Sequence, residues 1–262
     1  MFRSKIIVVK IGGSTLGQND TTIEDLVTLQ KKRVPMVVVH GGGNMITDWL
    51  TRLNIPTQFV QGLRVTDGDT LRVVIAVLAG LVNKELVSEI GRCGGKAVGI
   101  SGVDGLIVTG RNKNRELGLT AEEVACDPRL LHVLLNHGYM PVVAPVCLNT
   151  EVKNRVESNL LNVNGDTIAA CIAASLRARK LVFLTDVPGI YDDSKQLIPH
   201  VDSSTAHEMI KSGTASGGMI AKLKAGMVAS QRVALTRIID GRVSHALLDE
   251  IEGRGKGTTI VS

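Results

Sequence analysis

The feature of this sequence that most limits its fold is the alternation of short apolar runs with longer segments of helical periodicity. Several of the runs are apolar throughout, which is typical of strands buried on both faces of a parallel sheet. The predicted strands cover residues 6–11, 36–39, 97–100, 106–108, 141–144, 181–184 and 237–239. The predicted helices cover residues 22–32, 45–53, 69–92, 128–136, 165–178, 204–211, 219–233 and 245–249. Strands that alternate with helices predict an α/β fold around a mostly parallel sheet.

Glycine-containing loops follow three of the predicted strands, at residues 12–14, 41–43 and 186–189. Ligands of open α/β sheets bind beyond the carboxyl ends of the strands, so these loops are candidates for chemistry. Lys10 lies near the end of the first strand, where a buried cation is costly unless it meets an anion. Glycines let a phosphate approach the backbone N–H groups. The alternative is an edge lysine followed by an ordinary turn. His40, before the second glycine run, is predicted to be a hydrogen-bonded structural residue rather than a base.

The common nucleotide-binding signatures are missing from the sequence. Gly213 and Gly218 have the nearest spacing to a Walker A loop, but Met219 and Ile220 occupy the places of its Lys and Ser/Thr. No Gly-x-Gly-x-x-Gly fingerprint opens a helix. A nucleotide would therefore need a different phosphate-binding loop in this chain.

Two further segments carry polar groups at helix starts. In an extended segment Asn162, Asn164 and Asp166 would share one face, and Asp166 would begin the helix that follows. The alternative is that Asn164 or Asp166 is only a helix N-cap. Lys222 and Lys224 lie two positions apart on a predicted helix, about 200° around its axis, so only one of them can face a site. Spacing alone leaves open which lysine it is.

Composition excludes several classes of function. Aromatic residues make up 2% of the chain, too few for a surface that stacks single-stranded nucleic acid. The net charge of +5 is scattered and no groove-reading motif accompanies it, so we expect no nucleic-acid partner. The excess charge either belongs to a solvated surface or faces a small polyanion. No run approaches the ~18 apolar residues of a membrane span, and no signal-peptide core is present. The four cysteines form no Cys-x-x-Cys pair, which argues against a zinc site. A chain of this size folds without disulfides, so we expect a reducing cytoplasm.

These motifs together resemble the amino acid kinase family, and within it the members that act on N-acetyl-L-glutamate. The resemblance runs from Lys10 to Thr258, and the pieces that carry it are at residues 10–13, 40–43, 62–66, 162–166, 218–222 and 255–258. It implies a three-layer αβα sandwich around an open, mainly parallel sheet. One continuous sheet would join an N-terminal lobe (residues 1–174), holding the amino-acid substrate and the dimer contact, to a C-terminal lobe (residues 175–262), holding ATP.

The resemblance also implies a reaction, in which ATP phosphorylates the side-chain carboxylate of N-acetyl-L-glutamate in arginine biosynthesis. The alternative is carrier-bound aminoadipate or another acidic amino acid as the acceptor. A carboxylate nucleophile is already ionised at neutral pH, so no general base is needed. Mg²⁺ is expected to be held mainly by the phosphate oxygens of ATP and by water. Catalysis would then rest on positioning and on neutralising charge.

Residue roles follow from the same resemblance. The catalytic set is Lys10, Lys222 and Asp166, with the aspartate holding both lysines. The substrate-binding set is Gly42, Gly43, Arg64, Asn162 and Asn164, with Arg64 as a bidentate clamp on the α-carboxylate. The nucleotide-binding set is Gly12, Gly13, Thr185, Asp186, Gly189, Tyr191, Gly213, Ser216 and Met219.

The long helical segment 69–92 carries more apolar residues than a single buried stripe requires. It is either a central core helix or, as the resemblance implies, the helix that crosses its twin in a two-fold dimer. Arginine-inhibited members of the family carry a helix before the first strand, and this sequence leaves it no room. We therefore expect a homodimer that arginine does not inhibit at physiological levels.

Overall fold

The computed structural model describes residues 5–13, 21–60, 62–152, 158–192 and 194–261. The strands found there are β1 (Ile7–Ile11), β2 (Met36–His40), β3 (Phe59–Val60), β4 (Leu63–Arg64), β5 (Ala97–Ser101), β6 (Val108–Arg111), β7 (Thr120–Ala121), β8 (Glu123–Cys126), β9 (Met140–Ala144), β10 (Val146–Asn149), β11 (Leu160–Val163), β12 (Lys180–Thr185), β13 (Ile190–Tyr191), β14 (Leu197–Ile198), β15 (His200–Val201), β16 (Leu235–Asp240) and β17 (Thr258–Ile260). The α-helices are α1 (Thr22–Lys31), α2 (Gly43–Arg52), α3 (Gly68–Ile75), α4 (Asn83–Arg92), α5 (Arg129–Asn136), α6 (Gly165–Ser175), α7 (Ser203–Ser212), α8 (Gly218–Ser230) and α9 (Ala246–Ile251).

An eight-stranded sheet forms the centre of the molecule, with the strand order β15-β17-β16-β12-β1-β2-β9-β5. The six strands from β16 to β5 are parallel to one another, and β17 is antiparallel to β16. The sheet is continuous across β1 and β12, which pair in register with Lys10 opposite Phe183. The predicted α/β class with a mainly parallel sheet is confirmed.

Helices cover both faces of this sheet, and the strand alternation decides which side chains they meet. Ile7, Val9 and Ile11 of β1 pack into a core with α1, α2, α3, α4 and α9. Val8 points to the opposite core, which α5, α6, α7 and α8 cover. The result is the expected three-layer sandwich. Because side chains alternate along a strand, Lys10 lies on the same face as Val8 and faces α6.

A second, five-stranded sheet, with the order β7-β11-β10-β6-β8, packs on the α6 side of the molecule. Its strands β10 and β11 are antiparallel neighbours, with Val146 opposite Asn162. They flank the polar segment 149–159 that the sequence marks as an excursion or hairpin, of which residues 153–157 lie outside the described residues.

The predicted strand 106–108 is wrong in its position. Residues Asp104–Leu106 form a 3-10 turn, and the strand begins at Val108. The turn is set by Asp104, whose Oδ2 accepts hydrogen bonds from the backbone N–H and the hydroxyl of Ser101. Leu106 adopts φ 56°, which is incompatible with a strand.

The predicted helix 69–92 is present, but a π-helical segment, Ala76–Val82, separates α3 from α4. A π turn contains one more residue than an α turn. Beyond it, the residues that face the core are therefore shifted by one position along the sequence. In α4 these residues are Asn83, Leu86 and Ile90, while Leu81 is 37% exposed.

Residues 1–4, on which the expectation of no N-terminal helix partly rests, lie outside the described residues. In the described part of the chain, no helix is both long enough and apolar enough to cross a membrane.

Candidate active site

The site is built around Asp166, a carboxylate held between two lysines. Lys10 Nζ lies 2.8 Å from Asp166 Oδ1, and Lys222 Nζ lies 3.3 Å from Oδ2. Lys10 arrives from the central strand β1, Asp166 from the first turn of α6, and Lys222 from α8. Three elements that are far apart in the sequence thus place two ammonium groups on one carboxylate.

Burial and charge oppose each other at Asp166, which is only 3% exposed. Burial by itself raises the pKa of the Asp166 carboxyl, but the charges and hydrogen bonds of Lys10 and Lys222 outweigh it and leave the pKa below its ordinary value. The aspartate is therefore ionised at neutral pH, and the cluster of three groups carries a net positive charge.

The way α8 packs against α6 determines which of Lys222 and Lys224 faces Asp166. The first residue of α8 is Gly218, and Lys222 lies on the side that faces α6. Lys224 is exposed. The two side chains diverge as the 100° step per residue requires.

Two glycine loops converge beside Lys10. A methyl group on Gly13 would lie 3.1 Å from the backbone nitrogen of Gly42 and 3.5 Å from that of Gly43. A methyl group on Gly41 would lie 3.9 Å from Lys10 Nζ. Gly43 begins α2, and the first N–H groups of a helix have no acceptor within it, so they favour an anion there. The space that absent side chains leave between the loops is suited to a phosphate group.

Gly12 plays a different part in this structure. Its backbone N–H donates to the carbonyl of Leu184 at 3.1 Å, and the N–H of Gly41 donates in the same way to Ile11 at 3.0 Å. These bonds extend the sheet beyond β1 and hold the two loops side by side. The prediction that Gly12 donates to a phosphate therefore requires this bond to be shared or exchanged.

His40 is fully buried and hydrogen-bonded on both ring nitrogens. Nδ1 lies 2.9 Å from the carbonyl oxygen of Gly41, and Nε2 lies 3.2 Å from Nδ2 of Asn83. Burial lowers the pKa of His40 to about 4, so the ring is neutral in the physiological range. The predicted structural role is the one that this geometry supports.

Arg64, on β4, is a buried cation that forms no ion pair with any described Asp or Glu. Its Nη2 donates to the carbonyl of Gly43 at 3.1 Å and to Thr47 Oγ1 at 2.8 Å. Its guanidinium carbon lies 4.8 Å from the centre of the Phe59 ring. Burial lowers the pKa of Arg64. A guanidinium held by neutral groups in this way is prepared for an anionic ligand.

Behind Arg64 lies a hydrogen-bond network that the sequence did not reveal. Thr120 Oγ1 is 2.9 Å from the carbonyl of Arg64 and 2.9 Å from Thr66 Oγ1. Asn162 Nδ2 donates to Thr66 Oγ1 at 3.1 Å. The network joins β4, β7 and β11, so it fixes the backbone of Arg64 beside the predicted substrate residue Asn162. No local sequence signal predicts a contact between residues this far apart in the chain.

Asn164 is the N-cap of α6. Its Oδ1 accepts from the N–H groups of Asp166 at 2.8 Å and Thr167 at 3.2 Å. The capping alternative accounts for this side-chain oxygen, since a helix N-cap satisfies two of the first N–H groups. The cap also fixes where α6 begins and so places Asp166 against Lys10.

The first predicted nucleotide loop begins where β12 ends. The hydroxyl of Thr185 lies 2.7 Å from the carbonyl of Val187, and Asp186 follows directly. Gly189 has φ 158°, and a methyl group there would lie 2.6 Å from Thr258 Oγ1, so the turn needs glycine. Tyr191, on β13, is 38% exposed.

The second predicted nucleotide loop joins α7 to α8. Gly213 caps α7 in the left-handed region with φ 83°, and the carbonyl of Ser216 accepts from the N–H of Met219 at 3.0 Å. The loop reaches across the site, because a methyl group on Gly62 would lie 3.2 Å from the carbonyl oxygen of Gly217. It thus meets the hairpin that carries Arg64.

The assembled site is a concentration of positive charge and N–H donors at the carboxyl ends of β1 and β2. Such a site can hold an anion, stabilise negative charge that moves between two oxygens, and orient a second anion through Arg64. Within the described residues, no group of three or more His, Cys, Asp or Glu side chains is arranged to hold a metal ion.

Comparisons with known proteins agree with this chemistry. The model of the amino acid kinase family matches residues 5–240. An acetylglutamate kinase of Dehalococcoides mccartyi is 41% identical over 256 residues, which cover 98% of this chain and 94% of the relative. An acetylglutamate kinase of Porphyra purpurea is 42% identical over 269 residues, covering 99% of this chain and 93% of the relative.

Solved structures share the fold. The Streptococcus mutans protein smu.665 aligns with a TM-score of 0.83 at 23% identity, covering 98% of this chain and 99% of that one. Carbamate kinase from Giardia lamblia aligns with a TM-score of 0.70 at 14% identity and covers all of both chains. The family model spans most of the sequence, and the relatives match it over nearly its whole length. This chain belongs to the amino acid kinase family.

Proposed function

We propose that this chain transfers the γ-phosphoryl group of ATP to the side-chain carboxylate of N-acetyl-L-glutamate, as a step of arginine biosynthesis. The products are ADP and N-acetyl-L-glutamyl 5-phosphate. The observation that carries the proposal is the Lys10–Asp166–Lys222 cluster beside the paired glycine loops. The acetylglutamate kinases that match this chain at 41% and 42% identity support the choice of acceptor.

The main obstacle in this reaction is repulsion between two anions. The acceptor carboxylate is ionised at neutral pH, so its oxygen can attack the γ-phosphorus without a base. Lys10 and Lys222 neutralise the oxygens of the transferred group as charge shifts from the acceptor to the ADP leaving group. Asp166 keeps both ammonium groups aimed at that point, and the N–H groups of Gly13, Gly42 and Gly43 add donors that need no reorganisation.

Arg64 selects the acceptor. Among the described residues, the partners of its buried guanidinium are all neutral, so the α-carboxylate of the acceptor is the anion that would complete the site. The acceptor would lie beside Arg64, among Gly42, Gly43 and Asn162. Asn164 would support this site by capping α6. Aminoadipate as the acceptor is not favoured, since the relatives named above are acetylglutamate kinases.

We expect the nucleotide to bind on the C-terminal side of the site, from about residue 175 onward. Thr185, Asp186, Gly189 and Tyr191 would line the adenosine together with the loop at 213–219. Mg²⁺ would be held mainly by the triphosphate and water, since both oxygens of Asp166, the carboxylate between the two lysines, already face ammonium groups. It would supply further charge neutralisation on the phosphates.

We also propose a cytoplasmic homodimer. The helical segment from α3 to α4 buries one side against the sheet, and Ile75, Ala79 and Val87 are partly exposed at the margin of that core. Leu81, in the middle of the segment, is 37% exposed. An apolar surface on a long helix is suited to a two-fold contact with its twin. All four cysteines are free thiols, in keeping with a reducing compartment.

The test is a substrate panel with the purified protein. ATP-dependent formation of a hydroxamate is measured with N-acetyl-L-glutamate, L-glutamate, L-aminoadipate and L-aspartate, each with a control lacking ATP. We expect a kcat/KM for N-acetyl-L-glutamate at least 100-fold above the others. Comparable turnover of free glutamate or aminoadipate, or none of N-acetyl-L-glutamate, would refute the proposal.

A further inference from the structure

The ring of His40 forms hydrogen bonds that define its tautomer. The carbonyl oxygen of Gly41 can only accept, so the Nδ1 that lies 2.9 Å away carries the proton. Asn83 Nδ2 is a donor, so Nε2 accepts from it at 3.2 Å. The amide orientation of Asn83 is itself fixed, because Nδ2 also donates to the carbonyl of Val142 at 2.9 Å and Oδ1 accepts from Lys84 Nζ at 3.0 Å.

The bond to Gly41 has a consequence for the next peptide. The Gly41 carbonyl and the Gly42 N–H belong to one planar trans peptide, in which C=O and N–H point in opposite directions. Nδ1–H of His40 draws the Gly41 oxygen toward the ring. The Gly42 N–H therefore points away from the ring. The Gly42 nitrogen is also the atom that a methyl group on Gly13 would meet first, at 3.1 Å.

Glycine makes this control necessary. Gly42 has φ 157°. Because the Gly-Gly-Gly segment has no side chains, its own sequence does not restrict rotation of the peptide between residues 41 and 42. Leu78 Cδ2 lies close to the α-carbon of Gly42, since a methyl group there would be 2.6 Å from it. It limits where the residue sits, while the hydrogen bond sets which way its N–H faces.

The π-helical segment places Asn83 for this task. Its extra residue brings Asn83 to the buried side of α4, where the side chain is fully enclosed between β2, β5 and β9. Without that residue, the position facing His40 would fall on a different side of the helix. The π-helical segment thus places Asn83 where its amide donates a hydrogen bond to Nε2 of His40.

We propose that His40 is a positioning residue whose Nδ1–H fixes the Gly41–Gly42 peptide, so that the Gly42 N–H faces the transferred phosphoryl group. Asn83 holds the ring in the required tautomer. The inference rests on the proposed function for the identity of the anion. The ring itself takes no proton during the reaction, because both nitrogens are engaged and it is enclosed away from solvent. The charged groups that face it are Lys10 and Lys84, and both disfavour its protonation.

Two substitutions distinguish the roles of the two ring nitrogens, Nδ1 and Nε2. His40→Asn places an amide nitrogen near Nδ1 and retains the donor to Gly41. His40→Gln reaches toward Asn83 and loses that donor. Loss of one donor to a transition-state oxyanion lowers kcat by ~10²–10³. We expect kcat to fall about 100-fold in His40→Gln and less than about 5-fold in His40→Asn, with KM for both substrates within about 3-fold of wild type. His137→Gln, at an exposed histidine that ends α5, is the matched control.

Two further measurements do not depend on turnover or on how the variants fold. ¹⁵N spectra of the wild-type imidazole rings should show a neutral Nδ1–H tautomer of His40 from pH 5.5 to 8. Addition of ADP, Mg²⁺ and aluminium fluoride should move the Gly42 amide proton downfield in the wild type. A neutral Nε2–H tautomer, an unmoved Gly42 amide, or equal loss of kcat in both His40 variants would overturn the proposal. An enzyme inactive toward N-acetyl-L-glutamate whose Gly42 amide still moves would refute the acceptor alone.

Discussion

Replacing Asp166 by Asn removes the charge that holds Lys10 and Lys222 together. At an effective dielectric constant of about 20, each ion pair at 2.8 Å and 3.3 Å carries an attraction of about 5–6 kcal/mol before desolvation is counted. Removing one partner from a buried pair costs about 3–5 kcal/mol, because charge is left buried and uncompensated. Asn keeps a hydrogen bond and Lys222 can move toward solvent, so we expect the free energy of unfolding to fall by about 3 kcal/mol.

The pH dependence of this loss follows from the pKa of Asp166. That pKa is lower in the folded protein than its ordinary value of 3.8. The carboxylate therefore contributes its stability above the unfolded pKa and loses it as the pH falls through the folded pKa. The difference in the free energy of unfolding between the wild type and Asp166→Asn should have its full value at pH 7. It should become progressively smaller below about pH 4.

Urea unfolding at pH 7 and pH 3.5 measures the stability, and initial rates at pH 7 measure kcat, which we expect to fall by at least ~10²-fold. Asp249→Asn is the matched control, because Asp249 pairs with Arg254 on the surface and should change neither quantity appreciably. An Asp166→Asn protein that is as stable as the wild type and retains its turnover would show that Asp166 neither stabilises the fold nor positions the two lysines.

Three further changes address separate parts of the site, and one measurement addresses assembly. Lys222→Ala should lower kcat by ~10²–10³ while Lys224→Ala stays within about twofold; the reverse order would show that the wrong side of α8 has been assigned. Arg64→Lys should raise KM for N-acetyl-L-glutamate at least tenfold more than KM for ATP, because a point charge replaces a fork; equal effects would remove Arg64 from the acceptor site. Gly42→Ala should lower kcat at least tenfold, since φ 157° strains any other residue, and normal steady-state rates would contradict this. Light scattering should give the mass of a dimer, and a monomer at micromolar concentration would exclude the proposed contact.

The part of the fold that the sequence predicts is the part that local pattern controls. The buried strands of the main sheet are continuous apolar runs, so the local sequence pattern predicts their positions. The prediction of a strand at 106–108 was wrong because Leu106 and Ile107 are apolar for a reason other than burial in a sheet. Leu106 belongs to a turn that Asp104 fixes, and Ile107 is buried beside it.

What the sequence could not predict depends on contacts between distant segments. Spacing alone left Lys222 and Lys224 equivalent, because the choice depends on how α8 packs on α6. The bond from Thr120 to the carbonyl of Arg64 joins residues 56 positions apart, and short strands such as β7 have no periodicity to detect. The π-helical segment is equally hidden, since its sequence of small and apolar residues is compatible with an ordinary α-helix.

In the proposed reaction a carboxylate oxygen of N-acetyl-L-glutamate attacks the γ-phosphorus of ATP. The most direct test uses acceptor labelled with ¹⁸O in its side-chain carboxylate, with the product trapped by hydroxylamine, which attacks the carbonyl carbon and releases phosphate. We expect ³¹P spectra to show one ¹⁸O atom in the released phosphate, in an amount equal to the hydroxamate formed. Phosphate without ¹⁸O, or hydroxamate formed without matching labelled phosphate, would contradict it.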